Sequence, residues 1–386
     1  MSLESTIGGA DRPLRIVVAG GGTGGHVSPG VAIIEELRSR LAIEPLWIGS
    51  KRGFERETAE RLGIPFNSIQ VGKLRRYPSA QTLIDAARIP IGIIQARRIL
   101  RSVQPDLIFS TGGYVSTPVV IAGARLSIPT VTHEQTAYIG LATKINARFA
   151  DLVALSYERS RASLGKTNAR IVITGNPVRE AIFGGDAQSA RQRYGFSAEL
   201  PTVYVTGGAL GSRSINQVVS DALPDLLPRV QILHQCGPRS SHNDIDALNN
   251  RADRLRPELR ARYFVVERVG HEIGDVFASA TLVIGRAGAG TIAELAAVGL
   301  PSILIPLPGA EEQRQNALYL ADAGAAILLA QTDLTPTRLA SVVADLVASP
   351  ERLAIMRAAA SHAAAHDPAA RLVDELLLLV NPPSST

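Results

Sequence analysis

The sequence is poor in cysteine, lysine and aromatic residues, and each shortage narrows what it can be. Its 386 residues include one Cys, Cys236, so no disulfide can form within the chain and a thiolate metal site has too few sulfurs. Lysine stands only at positions 51, 73, 144 and 166, so nearly all of the 40 basic residues are Arg. Arg suits planar contacts with phosphate and carboxylate, although a genome-wide Arg-for-Lys preference accounts for the bias more plainly. No apolar run approaches the ~18–20 residues that span a bilayer. The N-terminus MSLESTIGGADRP lacks the charged stretch and apolar core of a secretory signal; residues 1–13 are expected to form a flexible extension. No low-complexity tract or short-period repeat is visible. What is present is a chain with 46% hydrophobic and 19% charged residues, which excludes disorder and supplies a sizeable core. The net charge is only +5, and no nucleic-acid partner is expected. Length makes two domains the central expectation.

Short β-branched runs alternate with helical stretches in two series. The first holds Leu14–Ala19, Leu46–Gly49, Leu107–Ser110, Thr130–Thr132, Leu152–Leu155 and Ile171–Thr174. The second holds Val203–Thr206, Gln231–Gln235, Tyr263–Glu267, Leu282–Gly285, Ser302–Ile305 and Ala326–Leu329. Such alternation predicts α/β architecture with parallel sheets covered on both faces. The first strand of each series runs into glycines, GGGTGGH at Gly20–His26 and GGALGSR at Gly207–Arg213. One doubly wound sheet rarely needs two such openings, so two Rossmann-like domains facing a cleft are expected. The expected division is 14–178 and 179–368, with a boundary near Gly175–Gly185. Glu351–Val380 reads as helix interrupted at Pro368, and its last part, about 369–380, could pack back on the first domain.

Gly20, Gly22 and Gly25 match G-x-G-x-x-G after a strand, the spacing of a dinucleotide site. That site also needs an acidic residue after the second strand. Here Ser50-Lys51-Arg52 follows, which suits only an NADP 2′-phosphate. Three features argue against a dinucleotide: five glycines in six positions, a closing histidine, and repetition of the device in the second half. A glycine-lined helix N-terminus offers backbone N–H groups and partial positive charge to any phosphate or developing anion. His26 beside it could take a proton from a hydroxyl near neutral pH; on the loop alone it is equally a capping residue. A third loop, Arg286–Pro301, opens a helix at Ala289 and Gly290 and stops it at Gly299 and Pro301. Glu294 lies one turn in, placed to accept both hydroxyls of a ribose, or simply solvated. Gln313, Gln315 and Asn316 cluster with Glu311 and Glu312 at another helix start, and amide side chains suit sugar hydroxyls.

Seven motifs occur in order along nearly the whole chain: GGGTGGHVSPG, TGGYVSTP with HEQ, GNPVR, GGALGSRSIN, HQCG, RAGAGTIAEL and P-x-P…EQRQNA. Together they resemble the MurG family of peptidoglycan glycosyltransferases. The resemblance implies the GT-B fold, an N-terminal acceptor domain, a C-terminal donor domain, and an inverting transfer of N-acetylglucosamine from UDP-N-acetylglucosamine to lipid I without metal or cofactor. It implies His26 as the base near the acceptor hydroxyl, with Thr23, Gly24 and Gly25 of its loop among the donor contacts. It implies Arg179 near the nucleotide, Ala289 and Gly290 at the phosphates, Glu294 on the ribose, Gln313 at the donor sugar and Gly270 at the uracil. Ala209, Leu210 and Gly211 form the second phosphate loop. Three departures stand out: Ala209 replaces the family's Ser, Thr136 replaces the Asn that reaches the sugar, and Glu312 replaces the first of the paired glutamines.

Lys73–Arg101 interleaves seven basic residues with isoleucines and leucines against one acid, Asp85. That pattern suits anionic headgroups and shallow insertion. Leu74, Arg75, Arg76 and Tyr77 are the expected contact to the cytoplasmic membrane leaflet and its polyprenyl-diphosphate acceptor; the plainer reading is an amphipathic helix on its own sheet. A sugar-nucleotide epimerase, an NADP dehydrogenase and a non-catalytic nucleotide binder are the competing readings.

Overall fold

The computed structural model describes residues 12–22, 24–51, 53–72, 80–241 and 243–381. Thr23 and Leu74, Arg75, Arg76 and Tyr77 lie outside the described residues. The chain divides into two compact units: Met1–Gln135, Ile139–Arg179 and His366–Thr386 form one, and Thr136–Tyr138 with Glu180–Ala365 the other.

The first unit is a seven-stranded parallel sheet. Its strands are β1 (Leu14–Ala19), β2 (Ile43–Ser50), β3 (Phe66–Ile69), β4 (Leu107–Ser110), β5 (Thr130–Glu134), β6 (Leu152–Leu155) and β7 (Arg170–Ile173), in the order β3-β2-β1-β4-β5-β6-β7. Strand β1 shows why the sequence folds so. Ile16 and Val18 join one apolar core and Val17 and Ala19 the other, because successive side chains point to opposite faces. A strand covered on both sides reads as a continuous apolar run. The helix Gly24–Arg40 follows, burying Val27, Val31, Ile34 and Leu37 at helical spacing. Gly30 permits this approach, since a Cβ there would lie 2.6 Å from the ring of Trp47. Trp47 is fully buried and its indole N–H donates to the Gly20 carbonyl at 3.0 Å, fixing the start of the glycine loop. The helix Pro368–Val380 belongs to this unit: Leu372, Val373 and Leu376 are buried in the same core as Ile34. Burial of three such side chains is worth roughly 1.5–3 kcal/mol each, and Arg40 adds a bond to Asp374 at 2.5 Å.

The second unit is a six-stranded parallel sheet of β8 (Thr202–Thr206), β9 (Gln231–Gln235), β10 (Tyr263–Val266), β11 (Leu282–Gly285), β12 (Ser302–Leu304) and β13 (Ala326–Leu328), ordered β10-β9-β8-β11-β12-β13. In both sheets the strand order reverses beside the first strand, between β1 and β4 and between β8 and β11. The carboxyl ends of strands at such a reversal are where α/β sheets bind ligands.

The expected strands lack β3 and differ by one to three residues at several ends, most at β2, which begins at Ile43 rather than Leu46. β3 is an edge strand of four residues, FNSI, with Asn67 and Ser68 exposed, so it carries no apolar run to announce it. The C-terminal segment is two helices, Pro350–Ala363 and Pro368–Val380. No helix among the described residues is long and apolar enough to cross a membrane.

Candidate active site

In the first unit the reversal point brings together the β1 and β4 loops. Gly20, Gly21 and Gly22 pass so close to neighbouring chain that side chains are excluded: Cβ atoms would meet Thr111 at 1.8 Å, the Glu55 carboxyl at 2.1 Å and Tyr114 at 3.2 Å. Gly22 also has φ +83°, a left-handed conformation that glycine adopts without strain. Glu55 is completely buried. Its carboxylate accepts the Gly22 N–H at 2.9 Å, the Ser50 N–H at 2.8 Å and the Ser50 hydroxyl at 2.6 Å. A side-chain anion thus occupies an amide of this loop. That disfavours a dinucleotide diphosphate there, and Glu55, bonded to Gly22 and Ser50, is not free to act as the missing ribose acid.

His26 is half-buried in the first turns of the helix Gly24–Arg40. Its Nδ1 lies 2.9 Å from the Thr111 carbonyl and 3.1 Å from Gln135 Oε1. Gln135 is oriented by its own Nε2, which donates to the Thr111 carbonyl at 2.6 Å. Both neighbours of Nδ1 are therefore acceptors, so the network assigns the ring proton to Nδ1 and leaves the lone pair on Nε2. Gly112 and Gly113 have φ +75° and +74°, and a Cβ on Gly113 would lie 3.2 Å from His26 Nε2. Glycine at 113 thus keeps the basic nitrogen uncovered. His133 of the HEQ motif is different: burial pushes it down to about 4, and its Nε2 is bonded to the Gly175 carbonyl at 3.0 Å, so it stays neutral and structural.

In the second unit the corresponding loops follow β8 and β11. Gly207 and Gly211 are required by close approach: Cβ atoms would lie 2.2 Å from Ser212 N and 2.0 Å from the Cys236 carbonyl, and Gly211 has φ +74°. Leu210 is 50% exposed at the loop tip, beside Ala209. Gln235, the Gln of HQCG, is almost fully buried and ties three segments together. Its Nε2 donates to the Gly208 carbonyl at 3.2 Å and to Thr206 Oγ1 at 3.0 Å, while its Oε1 accepts the Val269 N–H at 2.8 Å. Val269 leads into Gly270, which is exposed and whose N–H donates to Glu272 at 3.1 Å. Cys236 is buried and its thiol is pushed up to about 11 by desolvation, so it is no nucleophile at neutral pH.

The helix Ala289–Ala297 starts after Gly288, which has no side chain to cap the first turn. A Cβ on Gly290 would meet nothing within 4 Å, so the space beside this residue of the first turn is open. Glu294 is half-buried one turn along. Asn316, buried in the helix Glu311–Asp322, donates to the Ala287 carbonyl at 3.2 Å and accepts the Ala137 N–H at 3.0 Å. It links the helix of Gln313 both to the turn before Ala289 and to the segment of Thr136, whose hydroxyl donates to the Tyr138 carbonyl at 2.5 Å. Gln313 Oε1 accepts the Leu307 N–H at 3.0 Å, so further bonding runs through its NH2 donors. Glu312 is exposed, and Arg179 is half-buried at the end of the first unit. Ala209, Leu210 and Gly211 after β8 and Ala289 and Gly290 after β11 thus flank one reversal point, Gly270 follows β10 at the sheet edge and is tied to the β8 loop through Gln235, and Gly24, Gly25 and His26 follow β1 at the other. Glu55, Gln135, Gly113 and Gln235 escaped the sequence reading. Each lies far along the chain from the loop it serves; the TGG, HEQ and HQCG motifs contain the last three without showing what they bond, and no motif contains Glu55.

Residues 16–155 match the N-terminal domain model of glycosyltransferase family 28, and residues 202–373 match its C-terminal domain model. Over 369 residues the chain is 37% identical to a UDP-N-acetylglucosamine–N-acetylmuramyl-(pentapeptide) pyrophosphoryl-undecaprenol N-acetylglucosamine transferase of Listeria welshimeri, covering 94% of this chain and 99% of that relative. A crystal structure of Acinetobacter baumannii MurG is similar with a TM-score of 0.72 and 25% identity, over 95% of this chain and 99% of that one. A putative UDP-N-acetylglucosamine 2-epimerase of Listeria monocytogenes has a TM-score of 0.67 over 95% and 96% of the two chains at 13% identity, a likeness of fold alone.

Proposed function

The chain belongs to the MurG-type transferases of glycosyltransferase family 28, with two α/β parallel-sheet units of GT-B type, and from that premise we propose that it moves N-acetylglucosamine from UDP-N-acetylglucosamine to the muramyl sugar hydroxyl of lipid I, giving lipid II. The observation that carries this reading is the 37% identity to a transferase of that name across 94% of the chain. The epimerase likeness stops at the fold.

The second unit is the donor domain. Its two glycine loops and the open start of the helix Ala289–Ala297 supply backbone N–H groups for the diphosphate, which N-terminal helix charge favours. Glu294 holds the ribose hydroxyls, the Gly270 backbone the uracil, Arg179 the nucleotide side and Gln313 the sugar. Ala209 removes one hydroxyl bond worth roughly 0.5–1.5 kcal/mol, and the Leu210 and Gly211 amides remain. The first unit is the acceptor domain. The acceptor oxygen forms a bond to the anomeric carbon as the bond to the β-phosphate oxygen breaks, and its proton passes to His26 Nε2. Attack from the face opposite UDP inverts the anomeric centre. The amides at the donor loops stabilise the charge that develops on leaving UDP.

The helix Ala80–Val103 supports peripheral contact of the acceptor domain with the cytoplasmic leaflet. Ala96 and Leu100 are core, but Ile91 and Ile94 are 44% and 54% exposed, with Arg97, Arg98 and Arg101 exposed on the same helix. The double variant Ile91→Glu, Ile94→Glu should sediment less with phosphatidylglycerol vesicles than the unaltered protein while binding UDP equally; equal sedimentation would remove this surface from the reading. The decisive experiment for the whole reading measures UDP release from UDP-N-acetylglucosamine with and without a lipid I analogue. Acceptor-dependent release with a disaccharide product is expected. An epimerised sugar nucleotide, or no turnover, overturns the proposal.

A further inference from the structure

We infer that Arg286 is a positioning residue for the donor diphosphate: its buried guanidinium joins the two phosphate loops and holds a positive charge beneath them that no carboxylate of the described chain neutralises. The inference rests on the donor reading of the second unit. Arg286 closes β11 and is only 8% exposed. Its Nη2 donates to the hydroxyls of Ser212 at 2.8 Å and Ser214 at 2.9 Å, at the start of the helix that follows Gly207–Gly211. The same nitrogen reaches Gln331 Oε1 at 2.7 Å, and Nη1 donates to the Ile305 and Pro306 carbonyls at 3.0 and 3.2 Å. All five acceptors are neutral.

The arginines that form ion pairs with Asp or Glu among the described residues are exposed or half-exposed, as in Arg239 with Asp246 and Arg260 with Asp253. A buried cation without a counter-charge is costly, because neutral oxygens replace lost hydration only in part. Burial accordingly lowers the Arg286 pKa with no opposing group. Such an arrangement persists where an anion completes it. The guanidinium bonds hold the first loop against the turn that begins Ala287-Gly288-Ala289, so the amides of both loops keep a fixed spacing. The charge lies in a low-dielectric interior, where its field on a nearby diphosphate is little screened.

The test separates a ligand carrying phosphates from one without. Affinity for UDP is measured by isothermal titration, and affinity for uridine by ligand-observed NMR, in the unaltered protein, Arg286→Gln and Arg286→Lys. Gln removes the charge; Lys keeps it but not the two-armed fork. Arg286→Gln should weaken UDP by about tenfold or more and uridine by less than about twofold, and Arg286→Lys should fall between, as expected for loss of a charge-assisted contribution. Equal weakening of both ligands means a scaffold role and overturns the inference, as does unchanged UDP affinity. Should the Gln variant lose its cooperative unfolding transition, the Lys variant decides on the same UDP-to-uridine split. Failure of the unaltered protein to bind UDP at all would instead strike the donor reading itself, and this inference with it.

Discussion

The two units open alike and end differently. Each runs a buried first strand into a glycine loop and a helix, at the point where its sheet reverses. Beneath the first loop lies a carboxylate, Glu55, bonded to the Gly22 amide; beneath the second lies a guanidinium, Arg286, bonded to Ser212 and Ser214. One loop has its anion built in, and the other is backed by unneutralised positive charge. On the function proposed above, the same backbone device serves a neutral alcohol beside an imidazole in one unit and a phosphate ester in the other. Glycine spacing alone does not distinguish the two loops; the charged group behind each one does.

The sharpest way to break this comparison is His26→Ala. It should leave UDP affinity within about twofold and cut turnover by at least about a hundredfold, the usual range for general-base assistance being ~10²–10⁴; near-full turnover would end the base assignment. Acid should act on both units. His133 and His234, one per unit, are fully buried, and desolvation pushes them down to about 4 and about 3. An unfolded histidine titrates near 6.5. Below that pH the unfolded chain binds protons that the folded rings refuse, so their stability contribution is complete above about pH 6.5 and is lost progressively toward the folded values. The unfolding midpoint should fall steadily from pH 6.5 to 4.5, and a flat midpoint would refute the neutral-histidine assignment. Gly113→Ala forces a left-handed alanine against His26 Nε2 and should lower turnover roughly tenfold with UDP affinity intact, since small misplacements of a reacting group are costly. The smallest effect expected is a gain. Ala209→Ser should tighten UDP by a few-fold, one neutral hydrogen bond being worth roughly 0.5–1.5 kcal/mol, and no change would show that the second loop binds through its amides alone.

Most of the fold was readable because strands covered on both faces are uninterrupted apolar runs, as in LRIVVA and LVIG. The omitted strand, FNSI, lies at an edge, where half its side chains meet water and the pattern dissolves. The places of His26, Ala289 and Glu294 in the first turns of their helices were readable because they stand within a few residues of glycine turns. Glu55 was not, since 33 residues separate it from the amide it binds. Gln135 lies 109 residues from His26, and Arg286 lies 74 from Ser212. Nothing local distinguishes such a Glu, Gln or Arg from a solvated one.

The amino-acid order alone determined two α/β series, two glycine turns and the residue types beside them, because strand covering and left-handed turns are short-range demands. Which imidazole nitrogen carries the proton, which loop is already occupied by a carboxylate and which is underlain by a guanidinium were settled only when distant segments closed on one another. Electrostatics and hydrogen bonding act through space, and the chain's spacing does not record those distances.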